Sequence, residues 1–200
     1  MNILAVDATG DALSVALDAG GKIYAARKTG KKPHDETLLP AVESVLKRAK
    51  ISWDAVDAVA TASGPGRFTG IRIGMSFASI LGMKLKIPAL ALSRLEAAAG
   101  KSAAEDILAA LPGWKNEVYH QRFLRKKSGF APAGDAEWTA PEEWPRVRAA
   151  AEARGLDVAY ADTDASDLLP AAHRYVKAKK IPPFEPFYLK PAGYEKKPAR

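Results

Sequence analysis

Ser63-Gly-Pro-Gly-Arg-Phe-Thr-Gly-Ile-Arg-Ile-Gly74 joins a Gly-Pro-Gly turn to a run in which Gly70, Gly74, Ala78 and Gly82 recur at every fourth position. Residues four apart lie one above another on a helix, so the run reads as a helix with one flat stripe, spanning 69–84. Each interior glycine costs about 0.8–1 kcal/mol relative to alanine, and close packing has to offset that. The stripe therefore faces something near, either a helix or strand of the same chain or a helix of another subunit.

Outward from this stretch, Val56–Ala62 is apolar and short enough for a buried strand feeding the turn, and Ala89–Leu92 is a strand following the helix. Ser93 is placed to cap a small helix after it. Towards the N-terminus, Ile3–Asp7, Leu13–Leu17 and Ile23–Ala26 read as three strands, with Gly20-Gly21 as a hairpin turn. From His34 to Lys50, Leu38, Leu39, Val42, Val45, Leu46 and Ala49 follow helical spacing. Asp35 or Thr37 is the expected cap, which leaves Pro40 near the first turn. The order strand, turn, helix, strand predicts an α/β lobe with a right-handed crossover over residues 1–100.

A second, smaller α/β lobe is expected over 101–200, from strands at Ile107–Leu111, Glu117–Leu124 and Asp157–Tyr160. Arg125-Lys-Lys127 marks a hairpin tip. Helices are expected at 141–154, led by Pro141, and at 166–179. Pro182-Pro-Phe-Glu-Pro-Phe-Tyr-Leu-Lys-Pro191 is too rich in proline for a helix interior and should run extended along a lobe.

The 200 residues, 48% hydrophobic, suffice for one ample core or two small ones, and no cysteine is present. That excludes disulfides, thiol catalysis and thiolate metal sites. No apolar run reaches the roughly 18–20 residues of a membrane span, and Met1-Asn-Ile-Leu-Ala-Val-Asp7 has no basic leader. The expectation is a soluble, untargeted, cytoplasmic chain. Of the net charge of +7, much lies in residues 177–200, with seven Lys/Arg against two Glu. Such a tail is either a solvated end or a non-specific phosphate contact.

The Gly-rich turn invites a phosphate reading, but Thr69-Gly-Ile-Arg72 stands where a P-loop needs Gly-Lys-Ser/Thr, and Gly70 comes one residue late for a dinucleotide fingerprint. Asp7, with Thr9 and Gly10, either forms a turn or holds a Mg²⁺-bound phosphate through water. Gly66 would complete a residual phosphate site with Asp7 and Thr9. Hydrolysis calls for a second acid in the other lobe, where Leu111-Pro-Gly-Trp114 offers none. His34, His120 and His173 lack ligand spacing, so no metal site and no catalytic residue is assigned. Asp162-Thr-Asp-Ala-Ser-Asp167 reads as a loop and helix cap, since Asp stands where a calcium loop requires glycine.

Taken together, Ile3-Leu-Ala-Val-Asp7, His34-Asp-Glu-Thr-Leu-Leu-Pro40 and Gly64-Pro-Gly-Arg-Phe-Thr-Gly-Ile-Arg-Ile-Gly74 resemble the TsaB (YeaZ) family, with fainter matches at Val118-Tyr119 and Glu185-Pro-Phe-Tyr-Leu-Lys190. The chain departs from the family pattern at Arg67, usually Ser, at Pro112-Gly-Trp114, usually Asp-Ala-Arg, and at Lys190, usually Arg. The resemblance implies an actin-like (ASKHA, RNase H-like) fold of two lobes with the second shortened. It implies a non-catalytic subunit that pairs with a catalytic subunit, TsaD, and an ATPase, TsaE, in making N6-threonylcarbamoyladenosine at adenosine 37 of ANN-decoding tRNAs. ATP and Mg²⁺ would then be used by the partners and no cofactor by this chain, which would meet tRNA through the complex and could form a homodimer when alone. The two long helices would dock on the partner's equivalent pair through His34, Leu38, Leu39, Val42, Phe68, Gly70, Ile71, Arg72, Gly74, Phe77 and Ala78. On that view Gly74→Leu abolishes pairing and leaves a folded monomer. The alternatives are an actin-like ATPase or sugar kinase acting alone and, more remotely, a peptidase, for which no triad is present.

Overall fold

Alternation along the first strand organises the molecule. In β1 (Asn2–Asp7) every residue after Asn2 is buried, with Leu4 and Val6 on one face of the sheet and Ile3 and Ala5 on the other. A strand buried on both faces needs helices on both. The computed structural model describes residues 1–30 and 32–190. β1 pairs antiparallel with β2 (Leu13–Ala19), which pairs with β3 (Lys22–Lys28); on its other side β1 runs parallel to β4 (Ala58–Gly64), and β4 to β5 (Ala89–Ser93). The sheet order is β3-β2-β1-β4-β5.

On the Leu4/Val6 face lie α1 (His34–Ala49) and α2 (Phe68–Leu85), which bury Leu38, Val42, Val45, Ala78 and Leu81. Pro33, rather than Asp35 or Thr37, stands at the start of α1, and Pro40 lies well inside it. The missing Pro40 N–H is tolerated because Glu36, whose carbonyl loses its donor, is exposed to water. β4 begins two residues later than the expected Val56, since Trp53–Ala55 forms a 3-10 turn.

The second sheet follows the order β10-β6-β7-β8, from β6 (Asp106–Pro112), β7 (Val118–Lys126), β8 (Gly129–Pro132) and β10 (Asp157–Tyr160); β9 (Glu137–Thr139) also pairs with β7. Between β5 and β6, the short α3 (Arg94–Ala99) packs Leu95, Ala98 and Ala99 on Ile107, Ala109 and Leu111. The Ser93 hydroxyl caps it, accepting from Glu96 N–H at 3.4 Å. α4 (Trp144–Ala153) starts after Pro141, carrying Pro145 in its first turn, and covers Leu108 with Ala151. α5 (Ala165–Ala178) opens with a capping box between Asp164 and Asp167. Although it comes last in sequence, α5 packs Leu168, Leu169 and Ala172 on Ile3, Ala16, Ala58 and Ala60 of the first sheet. The alanines on that sheet face let the helix approach closely.

His120 on β7 is buried, its Nε2 lies 2.6 Å from Thr139 Oγ1, and its ring stands 5.7 Å from that of Trp144. Burial holds its pKa below the ordinary 6.5, against the opposing pull of Glu137. As pH falls through 6.5 the unfolded chain takes up a proton that the native histidine refuses, so stability is lost from there downward to the lowered native value. His120→Gln should flatten this part of the stability curve, read as urea midpoints between about pH 7.5 and 5. A curve as steep as that of the parent protein would assign the acid loss to other groups.

Candidate functional site

The C-terminal ends of β1 and β4, the start of α3, the end of β6 and the loop before α5 converge on a cleft of about 310 Å³. Asp7, at the end of β1, is 2% exposed and lies behind Thr9 and Arg94, two residues that line the cleft. Its Oδ1 accepts hydrogen bonds from Thr9 N–H at 2.8 Å and Thr9 Oγ1 at 2.6 Å. Its Oδ2 has no hydrogen bond but lies 3.3 Å from Arg94 Nε, a purely ionic contact because that N–H donates to Thr163 Oγ1 at 3.0 Å. Arg94 also donates to the Pro65 carbonyl at 3.0 Å and to Asp162 Oδ1 at 2.8 Å. The first residue of α3 thus ties together the first strand, the Gly-Pro-Gly turn and the loop before α5.

Asp7, Thr9 and Gly66 do come together. A Cβ on Gly66 would lie 2.7 Å from Thr9 Cβ, and Arg67 N–H donates to Thr9 O at 2.8 Å. Yet this set does not fit a magnesium nucleotide, because the free oxygen of Asp7 already faces a buried guanidinium. The β6 end supplies Pro112-Gly113, and Asp11 pairs with Arg67. Two like cations would compete for one carboxylate oxygen, and Arg94 is held there by three further acceptors. Sequence reasoning missed Arg94. Its signal was a lone cation at the first position of a short, alanine-rich helix, Arg94-Leu-Glu-Ala-Ala-Ala99.

The histidines are dispersed: His34 Nδ1 lies 3.0 Å from the Ala8 carbonyl, and His173 Nε2 lies 2.7 Å from Asp18 Oδ2. Among the described residues no three His, Asp or Glu side chains cluster as a metal site would need, and no helix is long and apolar enough to cross a membrane.

The small-residue stripe turns inward, to the sheet of its own chain. A Cβ on Gly70 would lie 2.7 Å from the Ala8 carbonyl carbon, one on Gly74 would overlap Thr61 Oγ1, and one on Gly82 would meet Ala89 Cβ at 3.0 Å. Leu38, Val42, Gly70, Ile71, Gly74 and Ala78 are buried in the chain's own core, so the expectation that these six face a partner is corrected. Phe77 is half-buried against the same core. The outward stripe of α2 is Arg72, Ser76, Ile80 and Met83, with Ile80 61% and Met83 70% exposed; on α1, Leu39 is 50% exposed. Helical spacing located the small-residue stripe and left open whether it faced the same chain or a partner; its contacts with Ala8, Thr61 and Ala89 place it against the chain's own sheet.

Residues 182–190 run as an irregular strap. Phe187 N–H donates to Ser63 O at 2.8 Å, Phe184 packs on the α1/α2 core, and Tyr188 meets Phe68 at 4.8 Å between ring centroids. The Arg72 guanidinium also stacks on Phe68, 3.9 Å from its ring centroid. Lys190 then reaches the second lobe, bonding Glu117 Oε1 at 2.6 Å and standing 4.5 Å over Trp138. Residues 191–200, which hold the rest of the basic tail, lie outside the described residues.

Two mixed five-stranded α/β units about a cleft, with helices on both faces of the first sheet, define an actin-like (ASKHA) architecture. The sequence model of the family described as TsaD, tRNA N6-adenosine threonylcarbamoyltransferase, matches residues 26–155. The chain belongs to this family, as a member of TsaB (YeaZ) type. It is similar to the tRNA threonylcarbamoyladenosine biosynthesis protein TsaB of Buchnera aphidicola, 37% identical over 63% of this chain and 62% of that one. TsaB of Escherichia coli K12 is 34% identical over 65% and 58%. The matched region thus spans about three-fifths of the length of these curated relatives. Among solved structures, YeaZ from Pseudomonas aeruginosa superposes with a TM-score of 0.74 at 26% identity, covering 94% of this chain and 99% of that one.

Proposed function

We propose that this chain is the non-catalytic subunit of a tRNA-modifying assembly, pairing with a TsaD-like catalytic subunit, joined by a TsaE-like ATPase, to make N6-threonylcarbamoyladenosine at adenosine 37 of ANN-decoding tRNAs. The observation that carries the reading is the coexistence of a closed cleft and an open helix face. Arg94 occupies the acid that chemistry on a magnesium nucleotide would need, while α1 and α2 leave Leu39, Ile80 and Met83 in water. Three large apolar side chains outward on two helices of one lobe suit a docking face, and the names of the relatives supply the pathway. The same pair of helices on a related subunit would give a pseudo-symmetric four-helix contact, and a homodimer through that face when the partner is absent.

The direct test is threonylcarbamoylation of an ANN-decoding tRNA by the cognate catalytic subunit, ATPase and carbamoyl-AMP-forming enzyme, with and without this chain. Activity should require it. Ile80→Glu/Met83→Glu should abolish co-elution with the catalytic subunit while leaving the melting temperature of the isolated chain within a few degrees, since surface changes are usually within about 0.5 kcal/mol. Full activity in the absence of the chain, together with micromolar Mg-ATP binding that disappears in Asp7→Ala, would favour a free-standing ATPase or kinase instead.

A further inference from the structure

Where the β7–β8 hairpin meets α5 there is a second groove of about 520 Å³, lined by Lys101, Arg125, Lys126, Lys127 and Arg174. Its two carboxylates are already balanced: Asp167 pairs with Lys101 at 2.9 Å, and Glu96 pairs with Arg174. Arg125 binds backbone carbonyls, those of Ser102 and Ala104, so no acid offsets its charge. Lys126 and Lys127 make no ion pair among the described residues. Gly129, at φ 126°, brings the hairpin against α5, since a Cβ there would run into the Arg174 guanidinium. One turn further along α5 the exposed Lys177 carries the positive surface onward.

We infer that this groove binds the phosphate backbone of RNA. Its surplus of cations, Arg125 and Lys126 at the end of β7 and Lys127 at the hairpin tip, suits a polyanion that releases counterions on binding. The one aromatic ring in it, Phe130, is half-buried and covered by Arg125 at 4.9 Å. The groove therefore offers neither an aromatic anchor for a peptide nor a stacking platform for bases. Contacts of this kind position a nucleic acid without reading its sequence. The choice of tRNA as the probe rests on the function proposed above.

The test is a fluorescence-anisotropy titration of a labelled tRNA transcript with the full chain, at several salt concentrations. Lys126→Ala/Lys127→Ala should bind about tenfold more weakly at low salt and flatten the slope of log affinity against log salt by about two. Lys127→Glu is a second variant at the exposed tip, and Lys28→Ala/Lys47→Ala is a control of equal charge change. Unchanged affinity in both hairpin variants, or an equal loss in the control, overturns the proposal. So does displacement of the RNA by low-millimolar inorganic phosphate, which would indicate a single-anion site. Loss of association with a partner protein while tRNA binding persists would assign the groove to protein contact and also overturn it. Co-elution of Lys126→Ala/Lys127→Ala with the catalytic subunit is measured in parallel, so that a failure of RNA binding and a failure of the subunit reading are told apart.

Discussion

Leucine in place of Gly74 is expected to destabilise the fold of the first sheet itself, not merely to separate it from a partner. The Cβ alone would overlap Thr61 Oγ1, and Thr61 is wholly buried on β4 in the middle of the sheet. Overpacking of this kind costs about 1–3 kcal/mol, and more when backbone has to move, against a total stability of about 5–15 kcal/mol. For a chain of this size 3 kcal/mol lowers the melting temperature by about 6–12 °C. Alanine substitutions along the stripe should be graded by what each new methyl meets. Gly82→Ala is mildest, with Ala89 Cβ at 3.0 Å; Gly70→Ala is worst, because the Ala8 carbonyl is backbone and has no rotamer to yield. Thermal melts followed by circular dichroism measure the series. A Gly74→Leu protein melting like its parent would place the stripe on the outside and return it to the docking face.

The glycine stripe also shows how far the sequence could be read. Its spacing located α2 to within one residue at each end, because periodicity and glycine cost are local properties. What the stripe packs against is not local. A strand of the same chain and a helix of another protein ask for the same small residues, and only the observed meeting of Gly70 with Ala8 and Gly74 with Thr61 separates them. The same limit applies to α5, whose helix and cap were legible in Asp164-Ala-Ser-Asp167, while its return across the alanine face of the first sheet depends on topology. The strap was legible as extended from its prolines. Its pairing of Phe187 with Ser63 and of Lys190 with Glu117 joins residues that are distant in sequence. Start positions were misread where a proline set the boundary, as at Pro33 and Pro145, since several nearby residues could equally have capped those helices. Asp7 was legible as an acid ending the first strand, either forming a turn or holding a metal-bound phosphate. Arg94, 87 residues further on, decides what that residue can do.

Arg94→Met is expected to be among the most damaging single changes in the cleft. It leaves the Asp7 carboxylate buried with no counter-charge, and removing one partner of a buried pair costs about 3–5 kcal/mol. It also strips donors from Thr163, Pro65 and Asp162, which loosens the loop before α5 from the Gly-Pro-Gly turn. The double variant Asp7→Asn/Arg94→Met should recover part of the loss, because asparagine can still accept from Thr9 and no longer carries the stranded charge. Urea unfolding of the four proteins gives the coupling directly. Burial of both groups makes that coupling nearly insensitive to added salt, unlike the exposed pair of Arg67 with Asp11, where screening applies. If the two changes instead add independently, the 3.3 Å contact is incidental. Arg94 would then act only through its hydrogen bonds, and the argument that it closes the cleft to a metal-bound phosphate would lose its electrostatic half.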